Sequence, residues 1–84
     1  MKYTPYILPS AQRDLDRLTP QVYERCYKSL LKLAENPSPQ GCQKLTGEEG
    51  FRIRVGDYRI LYRIDDLSKK VFIYRVKHRR EVYR

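Results

Sequence analysis

Between Phe51 and Ile64 the chain alternates apolar and polar side chains almost without a break. Phe51, Ile53 and Val55 stand against Arg52 and Arg54; after Gly56-Asp57, Tyr58, Ile60, Tyr62 and Ile64 stand against Arg59 and Arg63. A period of two sorts residues onto opposite faces of a β-strand, so this stretch predicts two strands with one greasy face and one face of guanidinium groups. Gly56-Asp57 is a hairpin turn signal, Asp65 to Lys70 is polar, and Val71 to Val76 is a third β-rich run. The pattern predicts a three-stranded antiparallel meander.

The rest of the chain supplies what the apolar face must pack against. Lys2 to Ile7 reads as a short strand closed by Pro9 and placed in the same sheet. Ser10 is a candidate N-cap for a helix in which Ala11, Leu15 and Leu18 recur at helical spacing. Thr19-Pro20 then provides a cap with proline at the first helical position, and Val22, Cys26, Leu30 and Leu33 form one stripe that ends at Asn36-Pro37. Asn36 to Gly50 shows no periodicity and predicts a connecting loop. The expected architecture is therefore α+β, one small domain over residues 1–84 in the order βααβββ, with two N-terminal helices packed on one face of an antiparallel sheet.

Composition narrows the function classes. With 40% hydrophobic and 33% charged residues the chain reads as a soluble globule, and its longest apolar run is far short of the roughly 18 residues of a membrane span. The opening residues lack a secretory apolar core, so a cytoplasmic location without membrane contact is expected. Cys26 and Cys42 are then expected as free thiols, Cys26 as a core residue and Cys42 in a loop without metal-ligand neighbours. No metal site and no cofactor are expected.

Net charge is +8, carried unevenly: residues 1–50 hold 7 basic and 6 acidic groups, residues 51–84 hold 11 and 4. A one-sided sheet always has a polar outer face, but an ordinary one would mix charges. Here Arg52, Arg54, Arg59 and Arg63 share the predicted open face, joined by Lys77, Arg79 and Arg80 beyond it. Like charges on neighbouring strands repel, and a phosphate backbone would compensate them. The pattern points to a polyanion, with Arg52, Arg54, Arg63, Lys77 and Arg80 as phosphate-binding candidates.

The run Phe51-Arg52-Ile53-Arg54-Val55-Gly56-Asp57-Tyr58-Arg59-Ile60-Leu61-Tyr62, followed by Val76-Lys77-His78-Arg79-Arg80-Glu81-Val82-Tyr83, resembles the RelE toxins of prokaryotic toxin-antitoxin pairs. The likeness extends to Tyr3–Leu18. It implies a toxin that enters the ribosomal A site and cuts messenger RNA there without a metal, inhibiting translation until an acidic, RelB-like antitoxin holds it inactive. Such cleavage uses the RNA's own 2′-hydroxyl as nucleophile. By the resemblance, Arg59 and Arg79 stabilise charge on the phosphate and Tyr83 donates a proton or stacks on a nucleotide.

Arg52 and Arg54 occupy positions where some members carry lysines, one of them proposed as the base. Arginine stays protonated, so the two are expected to bind phosphate instead. His78 is left as the candidate base on the strength of its titration range, with Glu81 and Glu49 behind it. Two other readings are open: a ParE-like inhibitor of DNA gyrase that shares the fold, and a basic RNA-binding module without catalysis.

Overall fold

The computed structural model describes residues 2–45 and 50–82. Strand β1 (Thr4–Ile7) leads into helices α1 (Pro9–Asp16) and α2 (Pro20–Glu35). Strands β2 (Gln43–Lys44), β3 (Phe51–Val55), β4 (Tyr58–Asp65) and β5 (Lys70–His78) follow, and α3 (Arg79–Val82) closes the described chain. They form one sheet in the order β1-β5-β4-β3-β2. This is a small α+β domain with two helices laid against a five-stranded sheet.

The alternating pattern places the core where an apolar face requires it. Ile60 and Tyr62 of β4 and Val71, Ile73 and Val76 of β5 bury against Ala11 and Leu15 of α1 and Cys26, Leu30 and Leu33 of α2. Phe51, Ile53, Val55 and Tyr58 pack at the margin of this cluster. Tyr62 is fully buried, and its hydroxyl donates to the Pro37 carbonyl at 2.7 Å, which satisfies the one polar atom the ring carries inward. Burial pushes its phenol well above the ordinary range, and the Cys26 thiol is raised for the same reason. At Gly50, with φ of 125°, a Cβ would lie 2.8 Å from the Tyr62 carbonyl oxygen, so both sterics and backbone call for glycine.

The structure departs from the sequence-based expectation in four places. Strand β1 pairs parallel with β5, Thr4 opposite Lys70 and Ile7 opposite Ile73, so the sheet is mixed. The two helices between β1 and the meander provide the long crossover that a parallel neighbour needs. Within the expected loop, Gln43 and Lys44 pair with Arg52 and Phe51 along the otherwise open edge of β3. Two residues are too few to leave a periodic signal.

Third, α1 starts at Pro9 with Leu8 at the N-cap, and Ser10 lies inside the first turn. Its hydroxyl donates instead to the Tyr74 carbonyl at 2.6 Å. Fourth, the pairing of β4 with β5 slips between Leu61, opposite Arg75, and Tyr62, opposite Ile73. Tyr74 is the extra residue of a β-bulge, and the bulge moves Arg75 onto the face that strict alternation would have denied it.

Candidate nucleic-acid interface

On the face away from the core, registry assembles cations from three neighbouring strands. Arg54 pairs with Arg59, and Arg59 pairs with Lys77. Directly opposed residues have Cα atoms about 4.5–5.5 Å apart, so this is a transverse row of three positive side chains. Arg54 is exposed, whereas Arg59 in the middle keeps only 7% of its surface accessible. A guanidinium retains its charge even when sunk in this way.

The next row on the same face runs from Gln43 through Arg52 and Leu61 to Arg75. Both ends of it are clamped from the side. Gln43 Oε1 accepts from Arg52 Nε at 3.1 Å and from Nη2 at 2.7 Å. At the other end Asp14 Oδ2 accepts from Arg75 Nε at 2.8 Å, and this pairing raises the Arg75 pKa. Between them Leu61, 7% exposed, forms an apolar floor. Gly41, Gln43, Arg52, Arg54 and Arg59 line a cleft of about 330 Å³. Among the described residues its lining supplies guanidinium groups, one amide and backbone, a donor set suited to phosphate oxygens.

The other expected site residues fall in different places. Lys77 completes the first row. Arg63 lies four residues beyond Arg59, roughly 13 Å along the strand, over the Tyr74 ring at 5.8 Å and outside the cleft lining. Arg79 opens α3, with its backbone N–H donating to the Asp57 carbonyl at 2.7 Å. That bond ties α3 to the β3–β4 turn at Asp57, three residues from Arg54 and two from Arg59. Arg80 and Glu81 are exposed on the same turn of helix.

His78 pairs with Tyr58, not with Arg59, and its ring meets the Tyr58 ring edge-on at 5.2 Å. Strand alternation puts it on the opposite face from Lys77. Its Nδ1 accepts from the Arg80 backbone N–H at 3.3 Å. The sheet therefore separates the candidate base from the arginine row. Tyr83 and Glu49 lie outside the described residues.

Gln43 and Arg75 escaped the sequence reading. The signal for Arg75 was present as a break in alternation, since the core residues Val71, Ile73 and Val76 are spaced two and then three apart. Gln43 had none, because its position depends on a loop finding the sheet edge. Among the described residues no three His, Cys, Asp or Glu converge, and no helix is long and apolar enough to cross a membrane.

Fold and site together define a class: a small basic α+β domain whose uncovered sheet face concentrates arginine. A family model for the ParE toxin of type II toxin-antitoxin systems matches residues 6–83. The toxin RelG of Mycobacterium tuberculosis is 38% identical over 100% of this chain and 99% of its own length. The toxin RelE of the same organism is 34% identical over 98% and 87%. Among solved structures, the RelBE2 toxin-antitoxin complex of Mycobacterium tuberculosis superposes with a TM-score of 0.83 at 34% identity, covering 93% of this chain and 99% of that one. The RelE-RelB complex of Pyrococcus horikoshii gives 0.80 at 27%, covering 94% and 97%. This chain belongs to the RelE/ParE superfamily and is the toxin of a type II toxin-antitoxin system.

Proposed function

We propose that this toxin is a metal-independent endoribonuclease that cuts messenger RNA in the ribosomal A site and so halts translation. The observation that carries the reading is the Arg54-Arg59-Lys77 row with Arg59 sunk at its centre. Cations aimed at a fixed point in a partly desolvated site stabilise charge that develops there far better than the same groups in water. In the proposed reaction the 2′-hydroxyl oxygen attacks the adjacent phosphorus, its proton passes to solvent water, and the bond to the 5′-oxygen breaks as that oxygen takes a proton from the Tyr83 hydroxyl, which solvent then reprotonates. A 2′,3′-cyclic phosphate and a 5′-hydroxyl result.

Arg59 stabilises the non-bridging oxygens of the pentavalent phosphorus, while Arg52 and Arg54 hold the flanking backbone. Arg79 and Tyr83 keep the roles that the family resemblance implies, at the phosphate and at the departing oxygen. His78 takes a structural part in this reading, holding the start of α3 beside Arg79. Arg63 and Arg80 contribute to the wider basic surface.

The similar toxins from Mycobacterium tuberculosis and Pyrococcus horikoshii occur in complexes with RelB-type partners. An acidic antitoxin is the corresponding partner here, complementing the positive half of the chain in the cytoplasm. The ParE description of the matching family model supports a second reading, inhibition of DNA gyrase. Induced expression separates the two. Translation arrest with cut, ribosome-bound messenger is expected, unchanged by chelator and abolished when the scissile 2′-hydroxyl is replaced by hydrogen. Intact messenger with accumulating gyrase-cleaved DNA overturns the nuclease reading.

A further inference from the structure

We infer that Arg75 is a further phosphate ligand of the RNA-binding face and that Asp14 on α1 positions it. The inference deepens the RNA reading above and rests on it.

Helix α1 runs beside the half of β5 that β1 does not reach. Strand β1 ends opposite Ile73; beyond it, Ser10 donates to the Tyr74 carbonyl and Asp14 Oδ2 accepts the Val76 N–H at 2.8 Å. These two side chains satisfy the strand edge, so Arg75 is not needed to close it. Asp14 nevertheless also takes Arg75, through Nε at 2.8 Å on Oδ2 and Nη2 at 3.3 Å on Oδ1. The carboxylate is thus anchored to backbone on one side and to one edge of the guanidinium on the other. A flat group held by two bonds along one edge has its plane fixed, and Nη1 with one hydrogen of Nη2 remains uncommitted to Asp14.

Exposure follows the same division. The Asp14 side chain is 12% exposed and that of Arg75 is 37%. The acid is partly buried at the rim and the cation reaches solvent. Registry places Arg75 opposite Leu61, in line with Arg52 and two residues from Lys77. Two residues of strand span roughly 7 Å, so Arg75 extends the cationic track one step along the sheet from the Arg54-Arg59-Lys77 row. An extended RNA strand crossing the cleft would meet Arg75 with the phosphate next to the one held by that row.

The test is binding of a short single-stranded 2′-O-methyl RNA, which cannot be cleaved, followed by fluorescence anisotropy over a salt series. R75M is expected to weaken binding several-fold and to flatten the plot of log affinity against log salt by about 0.7, the contribution of one phosphate contact on a single strand. D14N decides the positioning role. It removes one negative charge, so the higher net charge alone would tighten binding, whereas loss of positioning weakens it despite that change. Asn can still accept the Val76 N–H, and thermal unfolding of each variant checks the fold.

Unchanged affinity and slope in R75M overturn the inference, as does tighter binding by D14N. If the wild-type chain binds this RNA but leaves messenger uncut, the nuclease reading falls and the Arg75 assignment stands. If it does not bind RNA, both fall.

Discussion

The two faces of strand β4 obey different rules. On one face Ile60 and Tyr62 are fully buried against helices; on the other Arg59 and Leu61 are nearly as buried, at 7% each. Burial on the first face is stabilising because it removes apolar surface from water. Burial of Arg59 differs in kind, since it takes a charged group from solvent in line with Arg54 and Lys77. Near-equal burial therefore removes apolar surface from water on one face and sinks a charged group on the other.

Substitutions at neighbouring positions on opposite faces should have opposite consequences. Ile60→Ala is expected to cost about 2–5 kcal/mol in urea unfolding, the usual price of an aliphatic core truncation. Arg59→Ala, one residue away, is expected to cost less stability than Ile60→Ala and to lower messenger cleavage by about a hundredfold to a thousandfold, the loss seen when one transition-state donor is removed. A large fall in stability for Arg59→Ala would show that the arginine is structural.

A smaller effect sharpens the core side. Burial raises the Tyr62 phenol and the Cys26 thiol in the folded state, so the folded form keeps protons that the unfolded form has already released. Their contribution is complete below about pH 8.5, the unfolded cysteine value, and fades as pH rises past it. Thermal unfolding should therefore show an alkaline decline that is shallower in Tyr62→Phe. An identical decline in that variant would remove Tyr62 as its cause.

The smallest expected effect lies on neither face. Lys28 and Glu24 pair at 3.1 Å on the outside of α2, with both side chains about two-thirds exposed. Glu24→Gln should change stability by less than about 0.5 kcal/mol and leave cleavage at the wild-type rate. A larger change would mean that the outer surface of α2 contributes to stability beyond an ordinary exposed ion pair.

Much of the core was legible in the chain itself. The alternation from Phe51 to Ile64 and the stripe Cys26, Leu30 and Leu33 could bury their apolar members in only one way, and the structure uses them so. The arginines of β3 and β4 were legible for the same reason, because a strand's two faces are set by sequence parity. His78 shows where chemistry needed the register as well: the titration range of a histidine suggested it for the arginine site, and its partner across the strand, Tyr58, puts it on the other face.

Arg75 and Gln43 mark the limit. A bulge at Tyr74, a two-residue edge strand and the parallel docking of β1 all depend on contacts between residues far apart in sequence, and no local pattern encodes them. Alone, the chain determined which residues are apolar, which are cationic and which alternate, since those properties belong to side chains and their spacing. Only tertiary structure decided that Arg54, Arg59 and Lys77 stand in one row and that Asp14 reaches Arg75, because lateral registry is settled by packing and edge hydrogen bonds across the whole sheet.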